Sequence, residues 1–180
     1  MRPGVRLGVD VGSVRVGVAT CDPAGILATP VETLQRGRGD LTRLTGLVTE
    51  RDAVEVVVGL PTSLRGTPGP AAEAAEAYAG TLADRLDVPV RLVDERFSTV
   101  GAQRELHASG VDTRRGRSVI DQAAAVIILQ GALDAERSSG RPPGRIVVRP
   151  PRPDDPGEDT GGDSPRAEDE AVGRPVEGER

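Results

Sequence analysis

The chain has 180 residues, enough for one domain with a substantial core and too few for two of ordinary size. Its formal net charge of −5 is unevenly spread: residues 1–150 hold 19 Arg against 18 acids and residues 151–180 hold 4 Arg against 10 acids, so the near-neutral body excludes a general basic nucleic-acid coat. The single cysteine, Cys21, excludes an internal disulfide. No apolar run reaches the length of a membrane span and the N-terminus has no apolar signal-peptide core, so a cytoplasmic protein without membrane association is expected.

Aromatics are almost absent, with Tyr78, Phe97 and no Trp, so the core must be built from Val, Leu, Ile and Ala. Val-rich runs of this kind suit a buried parallel or mixed sheet. In chain order, strands are predicted at residues 5–11, 14–21 and 26–34. Their short turn-rich connections, Gly12-Ser13 and Asp22-Pro-Ala-Gly25, make them an antiparallel meander. Asp40 is the expected N-cap of a helix over residues 41–51, with Leu41, Leu44, Leu47 and Val48 on one face. A buried strand at residues 54–60 runs into a loop with two Gly and three Pro up to Pro70. An Ala-rich helix follows to about Leu86, with Ala75, Tyr78, Leu82 and Leu86 on one stripe. The fifth strand, residues 88–93, leads into Asp94-Glu95-Arg96. Ser98 or Thr99 would cap a short helix that stops at Gly110, residues 111–117 form a polar loop, and the last helix spans 119–136. The short Ile146-Val-Val148 is a candidate extra strand. Beyond Pro150, Pro, Gly and charge leave too little apolar surface to offset the entropy of ordering, so residues 151–180 are expected to be a disordered acidic tail on a domain of residues 1–150. Three meandering strands followed by alternating helices and strands predict an α/β, ribonuclease-H-like fold: a five-stranded mixed sheet with helices on both faces.

The acids are the informative residues. Asp10 lies in the middle of an apolar strand, where a carboxylate loses hydration and needs a partner, beside a glycine that lets something approach closely. Asp94 and Glu95 end the fifth strand, and Asp121 opens the last helix. Ligands gather at the carboxyl ends of parallel strands, and a helix docked across the sheet brings Asp121 to the same point. Converging carboxylates of this kind call for cations between them, and Mg²⁺ (or Mn²⁺) suits an oxygen-only site. Two such ions can activate water and stabilise a leaving oxygen in phosphodiester cleavage. Each acid also has a plainer reading. Asp121 stands three residues after Ser118, the spacing of a capping box, and Asp94 and Glu95 could pair with Arg96 or Arg91. Asp10 is the hardest to explain without a ligand.

Arginines frame the same rim. Arg15 follows the Asp10 strand at its turn, Arg65 lies in the Gly/Pro loop, Arg96 follows the acids, and Arg114, Arg115 and Arg117 precede the Asp121 helix. Such a rim can hold a phosphate backbone through bidentate contacts; a merely solvated rim is the alternative. His107 is the sole histidine and reads as a solvated helix position, Cys21 as a small buried hydrophobe. Neither a P-loop nor a dinucleotide fingerprint is present.

Four blocks carry a family resemblance: Leu7-Gly-Val-Asp-Val-Gly-Ser-Val-Arg-Val-Gly-Val-Ala19, Val57-Val-Gly-Leu-Pro61 with Gly66-Thr67, Val93-Asp-Glu-Arg-Phe-Ser-Thr99, and Asp121-Gln-Ala-Ala-Ala-Val-Ile-Ile-Leu-Gln130. In this order they resemble the YqgF (RuvX) family of Holliday-junction-resolvase-like nucleases, also described as pre-16S rRNA nucleases, over roughly residues 5–150. The resemblance implies a ribonuclease-H-like fold and a metal-dependent endonuclease of the bacterial cytoplasm that matures the 5′ end of small-subunit ribosomal RNA. It matches Asp10 and Asp121 to the family's proposed catalytic acids, with the Asp94-Glu95 pair supplying the third. Asp10, Glu95 and Asp121 are the expected metal ligands, although sequence leaves open whether Asp94 or Glu95 faces the metal. Departures are small: Phe97 replaces a more usual aliphatic residue, and the basic positions before the last helix are Arg rather than Lys. The expected partners are structured nucleic acid, with pre-rRNA favoured over branched DNA, and ribosomal particles, for a monomer or weak homodimer. The rivals are a Holliday-junction resolvase and a non-catalytic ribosome-assembly or RNA-binding factor. An actin-like phosphotransferase would need a second such domain, for which the chain is too short.

Overall fold

A computed structural model describes residues 2–37, 39–61, 69–95 and 114–148, with side chains from Val119 onward in the last segment. Residues 149–180, including the expected tail, the expected helix after Ser98, and Arg65, Arg96 and His107, lie outside the described residues. The elements are β1 (Val5–Val11), β2 (Arg15–Cys21), β3 (Ala28–Gln35), α1 (Asp40–Glu50), β4 (Ala53–Leu60), α2 (Pro70–Ala83), β5 (Val90–Asp94), α3 (Arg114–Ser139) and β6 (Arg145–Ile146). They form one sheet in the order β3-β2-β1-β4-β5-β6. β1, β4 and β5 are parallel; β2, β3 and β6 pair antiparallel to their neighbours. This is the expected ribonuclease-H-like layout with six strands rather than five. The sixth is the short segment at Ile146, recruited to the open edge of β5 by a Val147 N–H donating to the Val90 carbonyl at 2.8 Å.

Strand alternation divides the core in two. Leu7, Val9, Val56, Val58, Val90 and Leu92 point to one face, against Leu44 and Leu47 of α1 and Tyr78, Ala79 and Leu82 of α2. On the other face, Val57 and Val93 pack under Ala125, Ile128, Leu129, Ala132 and Leu133 of α3, together with Cys21, which is buried as expected. α3 lies very close to the sheet. A Cβ on Gly17 would fall 2.0 Å from the Asp121 carbonyl oxygen, and one on Gly8 2.6 Å from the Leu129 Cβ, so only glycine at these strand positions lets the helix settle there.

Two expectations fail at helix ends. Asp40 does not cap α1. The cap is Gly39, at φ 92°, and Asp40 is the first helical residue, buried, where it accepts a hydrogen bond from the Tyr78 hydroxyl at 3.2 Å. Residues 114–117 are not loop but helix, because α3 extends back through them. Their polarity hides helical periodicity, because Arg114-Arg-Gly-Arg117 offers no apolar residue to mark a face.

Candidate active site

The face under α3 carries charge at both ends. At the carboxyl ends of the parallel strands, β1 contributes Asp10. Its register partner on β2 is Gly17, the residue directly under the Asp121 backbone, so Asp10 and the start of the covered part of α3 share one spot. β5 ends at Asp94, opposite Leu60. Glu95 follows, and its Oε1 lies 3.2 Å from where a Cβ on Gly59 would stand. Val9 pairs with Val58, so Gly59 is the next residue along β4 just as Asp10 is along β1, and Glu95 reaches back over that bare glycine toward Asp10.

Electrostatics register the convergence. Burial pushes the Asp10 carboxyl up to about 7, with the negative charges of Glu95 and then Asp121 adding to the shift. Asp121 lies seven residues past Arg114, so the Ser118 capping box has no helix end to cap. Its Oδ2 instead accepts a hydrogen bond from Arg15 Nε at 2.5 Å. Arg15 is set by a tight turn in which the Gly12 N–H donates to the Arg15 carbonyl at 2.9 Å. Arg36 holds that turn from β3's end: its Nη1 donates to the Gly12 carbonyl at 2.9 Å while the guanidinium stacks 5.7 Å above the Tyr78 ring. Arg114, Arg115 and Arg117 lie on the N-terminal part of α3, on the same side of the molecule as Asp121; their side chains, like Arg65 and Arg96, are outside the described residues.

The donor set is three hard carboxylates, and among the described side chains Arg15 is paired with one of them. That chemistry fits a divalent cation of the Mg²⁺ class. Among the described residues, no three acidic, His or Cys side chains are gathered as a finished ligand set, and Asp121 is engaged by Arg15.

The opposite end of the same face holds a cluster that sequence reading missed. Arg6 on β1, Glu55 on β4, Arg91 on β5 and Glu136 on α3 are all buried. Arg91 Nε donates to Glu55 Oε1 at 2.9 Å. Arg2 spans both acids, donating to Glu55 Oε2 at 2.8 Å and to Glu136 Oε2 at 3.0 Å. Arg6 Nε sits 3.4 Å from Glu55 Oε2. The Arg2 bonds hold the Glu136 carboxyl down at about 2. Arg91 is thus committed to Glu55 rather than to Asp94 or Glu95. A signal was present: charges interrupt three apolar strands near their starts.

The model of the RuvX family, described as Holliday junction resolvase, matches residues 4–135. The chain belongs to the RuvX family. Asp10, Asp94, Glu95, Asp121 and the Arg15 turn fall within the matched RuvX span. Over 154 residues the chain is 57% identical to a protein of Kineococcus radiotolerans named "Putative pre-16S rRNA nuclease", covering 83% of this chain and 81% of that one. Over 151 residues it is 61% identical to a Streptomyces coelicolor protein of the same name, covering 82% and 90%. Among solved structures it is similar to T. thermophilus RuvC in complex with Holliday junction substrate, at 13% identity and a TM-score of 0.55, over 79% of this chain and 99% of that one. At that identity the likeness shows a shared ribonuclease-H-like fold. No helix among the described residues is long and apolar enough to cross a membrane.

Proposed function

We propose that this RuvX-family chain is a metal-dependent endonuclease that hydrolyses phosphodiester bonds in structured RNA and matures the 5′ end of pre-16S rRNA in the cytoplasm, acting as a monomer or weak homodimer on ribosomal precursor particles. The observation that carries the chemistry is Asp10, half-buried in a valine-rich strand, with its carboxyl raised to about 7 between the charges of Glu95 and Asp121. The names of the relatives support the choice of RNA.

Asp10, Glu95 and Asp121 would hold Mg²⁺ (or Mn²⁺), with Asp94 the adjoining acid of the site. When bound, the ion supplies positive charge against the attacked phosphate and a water made acidic enough to attack. The chain's own groups do the rest. Asp10 would have to be deprotonated to serve as a ligand. Arg15, Arg65, Arg96, Arg114, Arg115 and Arg117 hold the phosphate backbone on either side of the scissile bond. Gly17 lets the Asp121 backbone, and Gly59 lets Ile128 and Glu95, come close over the strands.

The test is cleavage by the full chain of a transcript carrying the 16S leader and of a four-way DNA junction, at matched salt, with Mg²⁺ or with a chelator. Cleavage of the leader that stops on chelation is expected. Faster cleavage of the junction, or cleavage that survives chelation, overturns the proposal.

A further inference from the structure

We infer that Arg15 is a built-in counter-charge of the acidic site: its guanidinium holds Asp121 in the free protein and leaves it for a substrate phosphate when a divalent cation takes its place. The inference rests on reading Asp10, Glu95 and Asp121 as the cation site and adds how that site is kept before it is loaded.

The geometry has three parts. First, the backbone carrying Arg15 is fixed. The Gly12–Arg15 turn is closed by its own hydrogen bond, and β3's end pins it twice more at the Val14 carbonyl, from Arg36 N at 2.9 Å and from Gln35 Nε2 at 3.1 Å. Only the side chain is free to move. Second, the ion pair is partial. Nε alone meets Asp121, while the two terminal nitrogens have no hydrogen-bond partner among the described residues, and the paired side chains keep 26% and 23% of their exposure. A guanidinium bound by one edge presents its fork outward, the geometry that suits a phosphate. Third, the charges compete. Arg15 already sits on the Asp121 carboxylate through Oδ2, a cation held by Asp121 would share that carboxylate, and two positive groups on one carboxylate repel each other. The contrast with Arg91 is instructive: buried and bonded to both Glu55 and the Pro143 carbonyl, it has nowhere to go.

Two consequences follow. Without nucleic acid, Arg15 weakens cation binding, because the cation must displace it. With nucleic acid, a phosphate gives the displaced guanidinium a new partner, so cation and substrate bind cooperatively and the acids are filled mainly when there is something to cut.

The test is Mn²⁺ binding to the full chain without nucleic acid, by titration calorimetry, for the wild type, Arg15→Gln and Arg15→Lys, with Asp10→Asn as the control for the site. Arg15→Gln is expected to bind Mn²⁺ about 5- to 50-fold more tightly than the wild type, the usual size of a coupling between two sites, with Arg15→Lys nearer the wild type because it keeps the charge. Unchanged or weaker binding by Arg15→Gln overturns the inference, as does an Arg15→Lys protein that binds as tightly as Arg15→Gln. If Asp10→Asn takes up Mn²⁺ as well as the wild type does, or if none of the proteins binds it, the cation-site reading itself fails. Melting curves of the four proteins without metal establish that each is folded.

Discussion

The two ends of α3 rest on the same sheet face and solve the same problem in opposite ways. At the Glu136 end, Arg2, Arg6 and Arg91 surround two acids, and Glu136 is held at about 2 by the hydrogen bonds of Arg2. At the Asp121 end, roughly 22 Å along the helix, Arg15 pairs with Asp121 among the described side chains, and Asp10 rises to about 7. The Glu136 end is the more deeply buried, and there each acid is met by arginines that hold the helix to the sheet. The Asp121 end is half-buried, and its acids crowd one another closely enough to raise Asp10.

The comparison can be broken most severely at the acids. Asp10→Asn and Asp121→Asn are each expected to lower cleavage of the leader transcript on the order of 10³-fold or more, with the double variant little worse than either, because the residues act as one unit. An active, folded Asp121→Asn protein would remove α3 from the site. At the other end, Glu55→Ala should cost about 3–5 kcal/mol of stability by stranding Arg6 and Arg91 in the interior, measured by denaturant unfolding, while the molecules that remain folded cleave normally. If Glu55→Ala costs nothing, the arginine–carboxylate network is not what holds that end.

pH sharpens the contrast, since the two ends have opposite slopes. Asp10 binds its proton more tightly folded than unfolded, so between its ordinary value of 3.8 and about 7 the folded chain holds more protons and stability falls as pH rises. Asp10→Asn, free of metal, should therefore melt a few degrees higher than the wild type at pH 8 and no higher at pH 4. Glu136 is depressed from 4.5 to about 2, so its stabilisation is complete above pH 4.5 and lost as pH falls toward 2. Glu136→Gln should cost about 1–3 kcal/mol at pH 7, a cost that shrinks as pH falls from 4.5 toward 2. The smallest effect is expected from the tail: truncation after Pro150 should move the melting temperature by less than about 2 °C, given how little residues 151–180 have to bury.

The sheet was legible because its strands follow simple chemistry. β1 was expected at residues 5–11 and is Val5–Val11, since an apolar run between turn residues leaves few alternatives. Asp10 stood out for the same reason, as the acid inside that run. Helix ends were less legible. A short polar residue before an apolar stripe reads as a cap, yet Asp40 is drawn into the helix by the Tyr78 hydroxyl, a contact 38 residues away. The start of α3 was hidden by Arg114-Arg-Gly-Arg117, which shows no apolar period. The Arg2–Glu55–Glu136 cluster was not legible because it depends on register: Arg6 stands beside Glu55 only once β1 and β4 are aligned. What could have been noticed is that Arg6, Glu55 and Arg91 each interrupt an apolar strand near its start.

On the proposed reading, Asp10, crowded by Glu95 and Asp121, is a ligand for a divalent cation. The most direct measurement follows the Asp10 carboxyl carbon by NMR as pH is varied, with and without Mg²⁺. The account predicts a midpoint near 7 without Mg²⁺ and a midpoint well below that with it, while Glu136 is unmoved by the ion. A midpoint near 4 without Mg²⁺, or one near 7 that Mg²⁺ does not lower, would contradict it.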